Sequence, residues 1–213
     1  MAVSPRTARP RRKYSPRLPR EERREQVMDA ALALIADRGF GAVSMEAVAR
    51  EADIAKTVVY DAFGNQENLL RALFEREQER ALGAIASAVP TAPMGDDPIA
   101  LLVASLITML EAIRANPATW RLILLPADGA PPELRAVVER HRRMLASQLE
   151  PLVEWGLRDQ GLDRLDPELT SYTIVGMCEN AARLMLTQPR RFTPRRLADF
   201  AADLLAAVTG DRR

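Results

Sequence analysis

Residues 44–67 read SMEAVAREADIAKTVVYDAFGNQE, a stretch that spells two short helices, a tight turn between them and the start of a third helix. The hydroxyl of Ser44 can cap the free N–H groups of a helix over residues 45–51, and Glu46 in its first turn complements the helix dipole. The same capped end suits a phosphate. Val48 and Ala52, then Ile54, Val58, Val59 and Phe63 beyond the turn, are apolar and mostly small or β-branched, which permits close packing around a sharp corner. A second helix over residues 55–63 then has the place of a recognition helix in a DNA major groove. Upstream, Val27, Ala31, Leu34 and Ile35 recur at helical spacing over residues 22–37, with Gly39 as the stop and Phe40 as an apolar plug. Three such helices make one small reader domain.

Ala30-Ala31, Gly39-Phe40, Ser44, Val48-Ala49, Ala52, Tyr60, Phe63, Asn65-Gln66-Glu67 and Leu69-Leu70 stand together in register. Through them, residues 23–75 resemble the N-terminal DNA-binding domain of the TetR family of transcriptional regulators. The resemblance implies direct base readout by Lys56, Thr57 and Tyr60 with Ala55 near the groove, and phosphate contacts from Ser44, Tyr60 and Gln66. Several positions depart from the family pattern. Asp53 replaces a Gly in the turn, Thr57 stands where Gly is common, and Val58 stands where a hydroxyl often meets phosphate. Ala62 replaces a frequent His, and Gln66 replaces a Lys.

A basic segment can make up for those weakened contacts. The first twenty residues carry Arg6, Arg9, Arg11, Arg12, Lys13, Arg17 and Arg20 with four prolines and no acid, a composition that cannot fold alone. Such an arm neutralises phosphates and can enter a narrow minor groove, with Arg11, Arg12 and Lys13 as its candidate contacts. A solvated tail without a fixed role is the plain alternative. The segment lacks the apolar core of a secretory signal.

The remaining composition limits the function classes. A 213-residue chain that is 47 % hydrophobic and only 5 % aromatic suits helices, and it contains no uninterrupted run of eighteen apolar residues. The protein is therefore expected to be soluble and cytoplasmic, with no membrane partner. Residues 1–66 hold 12 basic and 9 acidic side chains, whereas residues 67–213 hold 18 and 20, so the basic end is the one expected on DNA. One cysteine, Cys178, excludes an internal disulfide and a cysteine-based metal cluster. With a single histidine, His141, no metal site, nucleophile elbow or phosphate loop is legible, so neither a cofactor nor an enzyme is expected. His141 sits among Glu139, Arg140, Arg142 and Arg143 and reads as part of a solvated face.

Beyond the reader, helices are expected over residues 66–88, 98–115, 117–125, 132–160, 167–187 and 194–208, bounded by Pro-rich loops and Pro at first helical positions. The expected fold is all-α, with a basic arm at 1–20, a helix-turn-helix domain at 21–81 and a larger ligand-binding and dimerisation domain at 82–213. Helix 98–115 is almost wholly apolar and is expected to be buried on most faces. Gly176, Ala181 and Ala182 with Leu197, Phe200, Leu204 and Leu205 mark the last two helices as a candidate homodimer face, as the family resemblance also implies. The resemblance further implies an apolar small-molecule effector between the helices. Candidate lining residues are Met109, Ile113, Trp120, Ile123, Met144, Trp155, Tyr172 and Met177, with Asn180 as an orienting group and Glu179 in an i,i+4 pair with Arg183. The expected partner is thus a double-stranded, palindromic operator, released when the effector binds. A ligand-independent architectural DNA binder is the competing class.

Overall fold

The computed structural model describes residues 18–89, 97–125 and 132–209, all helix and turn with no strand among them. The reader is built from α1 (Arg20–Arg38), a 3-10 turn (Phe40–Ala42), α2 (Met45–Glu51) and α3 (Lys56–Phe63). Then come α4 (Gln66–Ala88), α5 (Pro98–Ala115), α6 (Pro117–Leu124), α7 (Pro132–Asp159), α8 (Pro167–Thr187) and α9 (Pro194–Thr209). Side-chain caps start many of them: Ser44 for α2, Asn65 for α4, Asp97 for α5 and Asp166 for α8 each accept an N–H from the first turn. Pro stands in the first turn of α5, α6 and α8, where its missing N–H costs nothing. Pro151 lies inside α7, where its ring removes one intrahelical hydrogen bond.

Three apolar cores organise the chain. Val27, Ala31, Leu34, Phe40, Val48, Val59, Phe63, Leu69 and Leu73 close the reader, and Leu122 of α6 is buried among them. A second core joins Ala81 of α4 to Leu110, Ile113, Trp120, Leu124, Ala182 and Met185. The third packs α7 on α8 through Leu149, Leu152, Val153 and Val175, with Trp155 and Tyr172 at its edge. Helix α4 is therefore shared, with its N-terminal half in the reader core and its C-terminal half in the second core.

Helix α5 departs from its expected burial. Only Pro98, Leu110 and Ile113 are buried, because its outer face lines a groove rather than packing fully against neighbours. By length and composition α5 is apolar enough to cross a membrane, Glu111 and Arg114 being its only charged residues; a search for uninterrupted apolar runs overlooks it. Here it packs against α9, α4, α7 and α8.

Candidate functional site

The turn between α2 and α3 is tied down from several sides. Asp53 takes a left-handed conformation with φ 51°, the geometry for which Gly is usual. The N–H of Ile54 donates to Ala49 O at 3.0 Å, and Gln26 Nε2 on α1 donates to Ala52 O at 3.0 Å. At the far end of α3, Arg24 Nη1 donates to Ala62 O at 2.5 Å and its guanidinium lies 4.2 Å from the centre of the Phe63 ring. Asn68 Nδ2 donates to Phe63 O at 3.1 Å across Gly64, whose φ is 76°. The α2–α3 turn is thus tied to α1, and the C-terminal end of α3 to α1 and α4.

With Val59 and Phe63 buried, α3 turns Ala55, Lys56, Thr57 and Tyr60 to solvent together. Ala55 is the cap residue rather than the first helical one. The Lys56 ammonium pairs with Glu46 on α2 and lies 5.3 Å from the Tyr60 ring centre. That pairing holds the Glu46 carboxyl below its usual range and raises Lys56. Ser44 Oγ accepts the Ala47 N–H at 3.1 Å, which leaves its own proton for a phosphate oxygen. Gln66 is exposed at the start of α4. Arg11, Arg12 and Lys13 lie outside the described residues.

A cavity of about 110 Å³ lies between α4, α5, α6, α7 and α8. It brings together four of the expected lining residues, Met109, Ile113, Trp120 and Ile123. Met177 and Asn180 instead line a groove of about 480 Å³ between α5, α8 and α9. Met144 is exposed on α7, and Trp155 and Tyr172 pack in the α7–α8 core. Helical spacing identified these faces as apolar, but not which neighbour each one meets.

Polar residues that local reading placed elsewhere also reach this cavity. His141 lines it with its Nε2 3.4 Å from Gln78 Nε2, so it is not part of a purely solvated face. Burial holds its imidazole below the ordinary range, with Arg140 adding to the effect. Arg142 grips Glu179 with two hydrogen bonds of 2.9 and 2.7 Å, which outweigh the i,i+4 contact of 3.4 Å from Arg183. Glu77 is 0 % exposed. Its carboxylate accepts from Arg76 Nε at 2.8 Å, Arg80 Nη1 at 3.0 Å and Thr119 Oγ1 at 2.5 Å. Arg76 in turn reaches Glu25 and Asp29 of α1, each at 2.8 Å, and so links the cavity wall to the reader.

The last two helices leave apolar surface uncovered in one chain. Met177, Phe200 and Val208 are 45 %, 62 % and 60 % exposed, and Gly176 is open to solvent. Ala182, expected on this face, is buried in the second core, and Leu197 packs against that core. Among the described residues, no group of three or more His, Cys, Asp or Glu side chains could hold a metal ion.

Comparison with known proteins gives the same picture over nearly the whole chain. The model of bacterial regulatory proteins of the tetR family matches residues 27–73, and that of the tetracyclin repressor-like C-terminal domain matches residues 95–208. The HTH-type transcriptional activator FasR of Mycolicibacterium smegmatis is 26 % identical over 174 residues, 82 % of this chain and 77 % of that protein. A TetR-like transcriptional regulator from Rhodococcus sp. RHA1 superposes with a TM-score of 0.73 at 27 % identity, over 92 % of this chain and 100 % of that one. FadR from Bacillus subtilis, solved in complex with stearoyl-CoA, shares the fold with a TM-score of 0.62 at 18 % identity, over 85 % and 96 % of the two chains. A reader whose turn and recognition helix are tied to the flanking helices, joined through one shared helix to a cavity-bearing helical domain, is the architecture of a DNA-binding transcriptional regulator rather than an enzyme, and the chain belongs to the TetR family.

Proposed function

We propose that the protein works in the cytoplasm as a homodimer that binds a palindromic operator, represses transcription by occupying it, and is released by an apolar small molecule. The observation that carries this reading is the course of α4. Leu69 and Leu73 anchor it in the reader core, while Gln78, Ala81 and Ile85 form one wall of the cavity. A ligand that prefers one position of that wall shifts the reader with it. Leu122 strengthens the link, since it touches the cavity and is buried in the reader core.

In this reading residues 21–81 form the reader and residues 82–213 the effector and dimer domain, with residues 1–20 as a basic arm whose last residue, Arg20, opens α1. Lys56, Thr57 and Tyr60 read bases with Ala55 near the groove. Ser44, Tyr60 and Gln66 hold phosphates, and Arg11, Arg12 and Lys13 add arm contacts. For Lys56 to read a base it must exchange Glu46 for the DNA, an inexpensive step for an exposed pair. The uncovered apolar side chains of α8 and α9 support pairing of two chains there, which would set two recognition helices about one DNA turn apart. Stearoyl-CoA is the molecule bound to the Bacillus subtilis neighbour, which makes an acyl chain one apolar body to test as effector. FasR is an activator, so the sign of regulation is a point for direct measurement.

Fluorescence anisotropy on duplexes from the DNA upstream of the gene tests the reader. Lys56→Ala and Tyr60→Ala should each lower affinity by at least about tenfold while the dimer stays intact by sedimentation, given about 1–3 kcal/mol per base contact. Unchanged affinity in both would move the reading face away from α3. A promoter-reporter strain then gives the sign: derepression on deletion supports a repressor, and lost expression an activator.

A further inference from the structure

We infer that the cavity between α4 and α8 selects a molecule whose polar group is uncharged at neutral pH, such as a hydroxyl, ketone or ester-type carbonyl on an apolar body, over carboxylates and ammonium ions of the same size. This inference rests on the reading of that cavity as the effector site.

The selection follows from how the charged side chains of the lining are already used. Arg142 spends Nε and Nη2 on Glu179 and Nη1 on Glu139 at 2.8 Å, so all three guanidinium nitrogens have a carboxylate partner. The charge of Arg142 is thus already balanced by two carboxylates, and an anion that takes its Nε–Nη2 edge must displace Glu179, which would keep only the long contact to Arg183. Glu179 is 15 % exposed, so water does not make up the loss. A cation fares no better. The Glu77 carboxylate is fully buried, with Oε1 taken by Arg76 and Arg80 and Oε2 by Thr119. An ammonium would give up its hydration and find no free carboxylate.

What the lining still offers is neutral. Gln78 and His141 meet at only 3.4 Å, a weak contact between α4 and α7 that a ligand can replace. Burial shifts His141 toward its neutral form, in which the pair presents amide and imidazole groups that both donate and accept. The Cys178 thiol, pushed up to about 11 by burial, is neutral as well. A hydroxyl or carbonyl oxygen satisfies such partners without breaking an ion pair. The rest of the wall, including Met109, Ile113, Trp120 and Ile123, suits an apolar body.

The test uses the full-length protein and three probes that share one chain: octan-1-ol, octanoate and octylammonium, each titrated by calorimetry at neutral pH. The wild type should bind octan-1-ol at least about tenfold more tightly than either ion, since each ion would leave a desolvated charge without a partner. Glu179→Gln frees Arg142 and should raise octanoate affinity by at least about tenfold while moving octan-1-ol by less than about threefold. A Gln78→Leu, His141→Leu double variant should weaken octan-1-ol by at least about fivefold, placing it at this pair. Octanoate or octylammonium binding the wild type as tightly as octan-1-ol would overturn the neutral-group inference and leave the effector cavity standing. Failure of all three probes to bind would overturn both. Octan-1-ol binding that ignores the double variant would overturn the assignment to Gln78 and His141.

Discussion

Replacing Glu77 by Gln removes one charge from the most enclosed polar cluster of the fold while keeping the side-chain size. Loss of one partner from a buried ion pair costs about 3–5 kcal/mol. The figure here is smaller, because Arg76 keeps Glu25 and Asp29 and Arg80 is half exposed. A cost of about 2–3 kcal/mol remains, since Glu77 is fully buried and Arg76 is 10 % exposed. For a chain of this length, where each kcal/mol moves the midpoint by about 2–4 °C, thermal unfolding followed by circular dichroism should shift down by about 4–12 °C. Thr119→Val removes one hydrogen bond to the same carboxylate, and the two changes should be coupled by more than about 0.5 kcal/mol in a double-mutant cycle. A midpoint within about 1 °C of wild type for Glu77→Gln, or strict additivity of the pair, would refute the cluster as a link between α1, α4 and α6.

Other sites give sharper single readouts. Asp53→Gly should raise the unfolding midpoint by about 1–3 °C, because Gly adopts a φ of 51° without the steric cost Asp bears; a fall would show that the Asp side chain itself holds the turn. Phe200→Glu puts a charge on the uncovered face of α9 and should give monomers by sedimentation with unchanged helicity and lost operator binding; a persistent dimer would place the interface elsewhere. With its thiol pushed up to about 11 by its half-buried setting, Cys178 should be alkylated at mildly alkaline pH at least about tenfold more slowly in the native than in the urea-unfolded protein; equal rates would contradict the raised thiol.

Much of the fold is written in local chemistry. Ser44, Asp166 and the prolines at 98, 117 and 167 mark helix starts by side-chain and ring geometry alone, and the observed ends coincide with the expected ones or fall within two residues of them. The reader core is equally legible, since Val27, Val48, Val59 and Phe63 carry the helical period that packs them together. The cavity is not. Glu77 with Thr119, Gln78 with His141, and Arg142 with Glu179 join residues 42, 63 and 37 positions apart, and no local pattern encodes such pairings. Arg142 and His141 stand in a charged run that reads as solvated, until the packing of α7 against α8 turns them toward the cavity. Met144, Trp155 and Tyr172 lie away from the cavity for the same reason: spacing marks an apolar stripe, and tertiary packing decides its neighbour.

The most direct test of sequence-specific DNA reading through α3 is a titration of the purified protein against its own upstream DNA and an unrelated duplex of equal length, at low and at physiological salt. The expected result is a strong preference for the upstream duplex that survives the higher salt, because the base contacts proposed for Lys56, Thr57 and Tyr60 would not depend on counterion release as phosphate contacts do. Equal and steeply salt-sensitive binding to both duplexes would contradict it, and would point to a protein held on DNA by its basic residues alone.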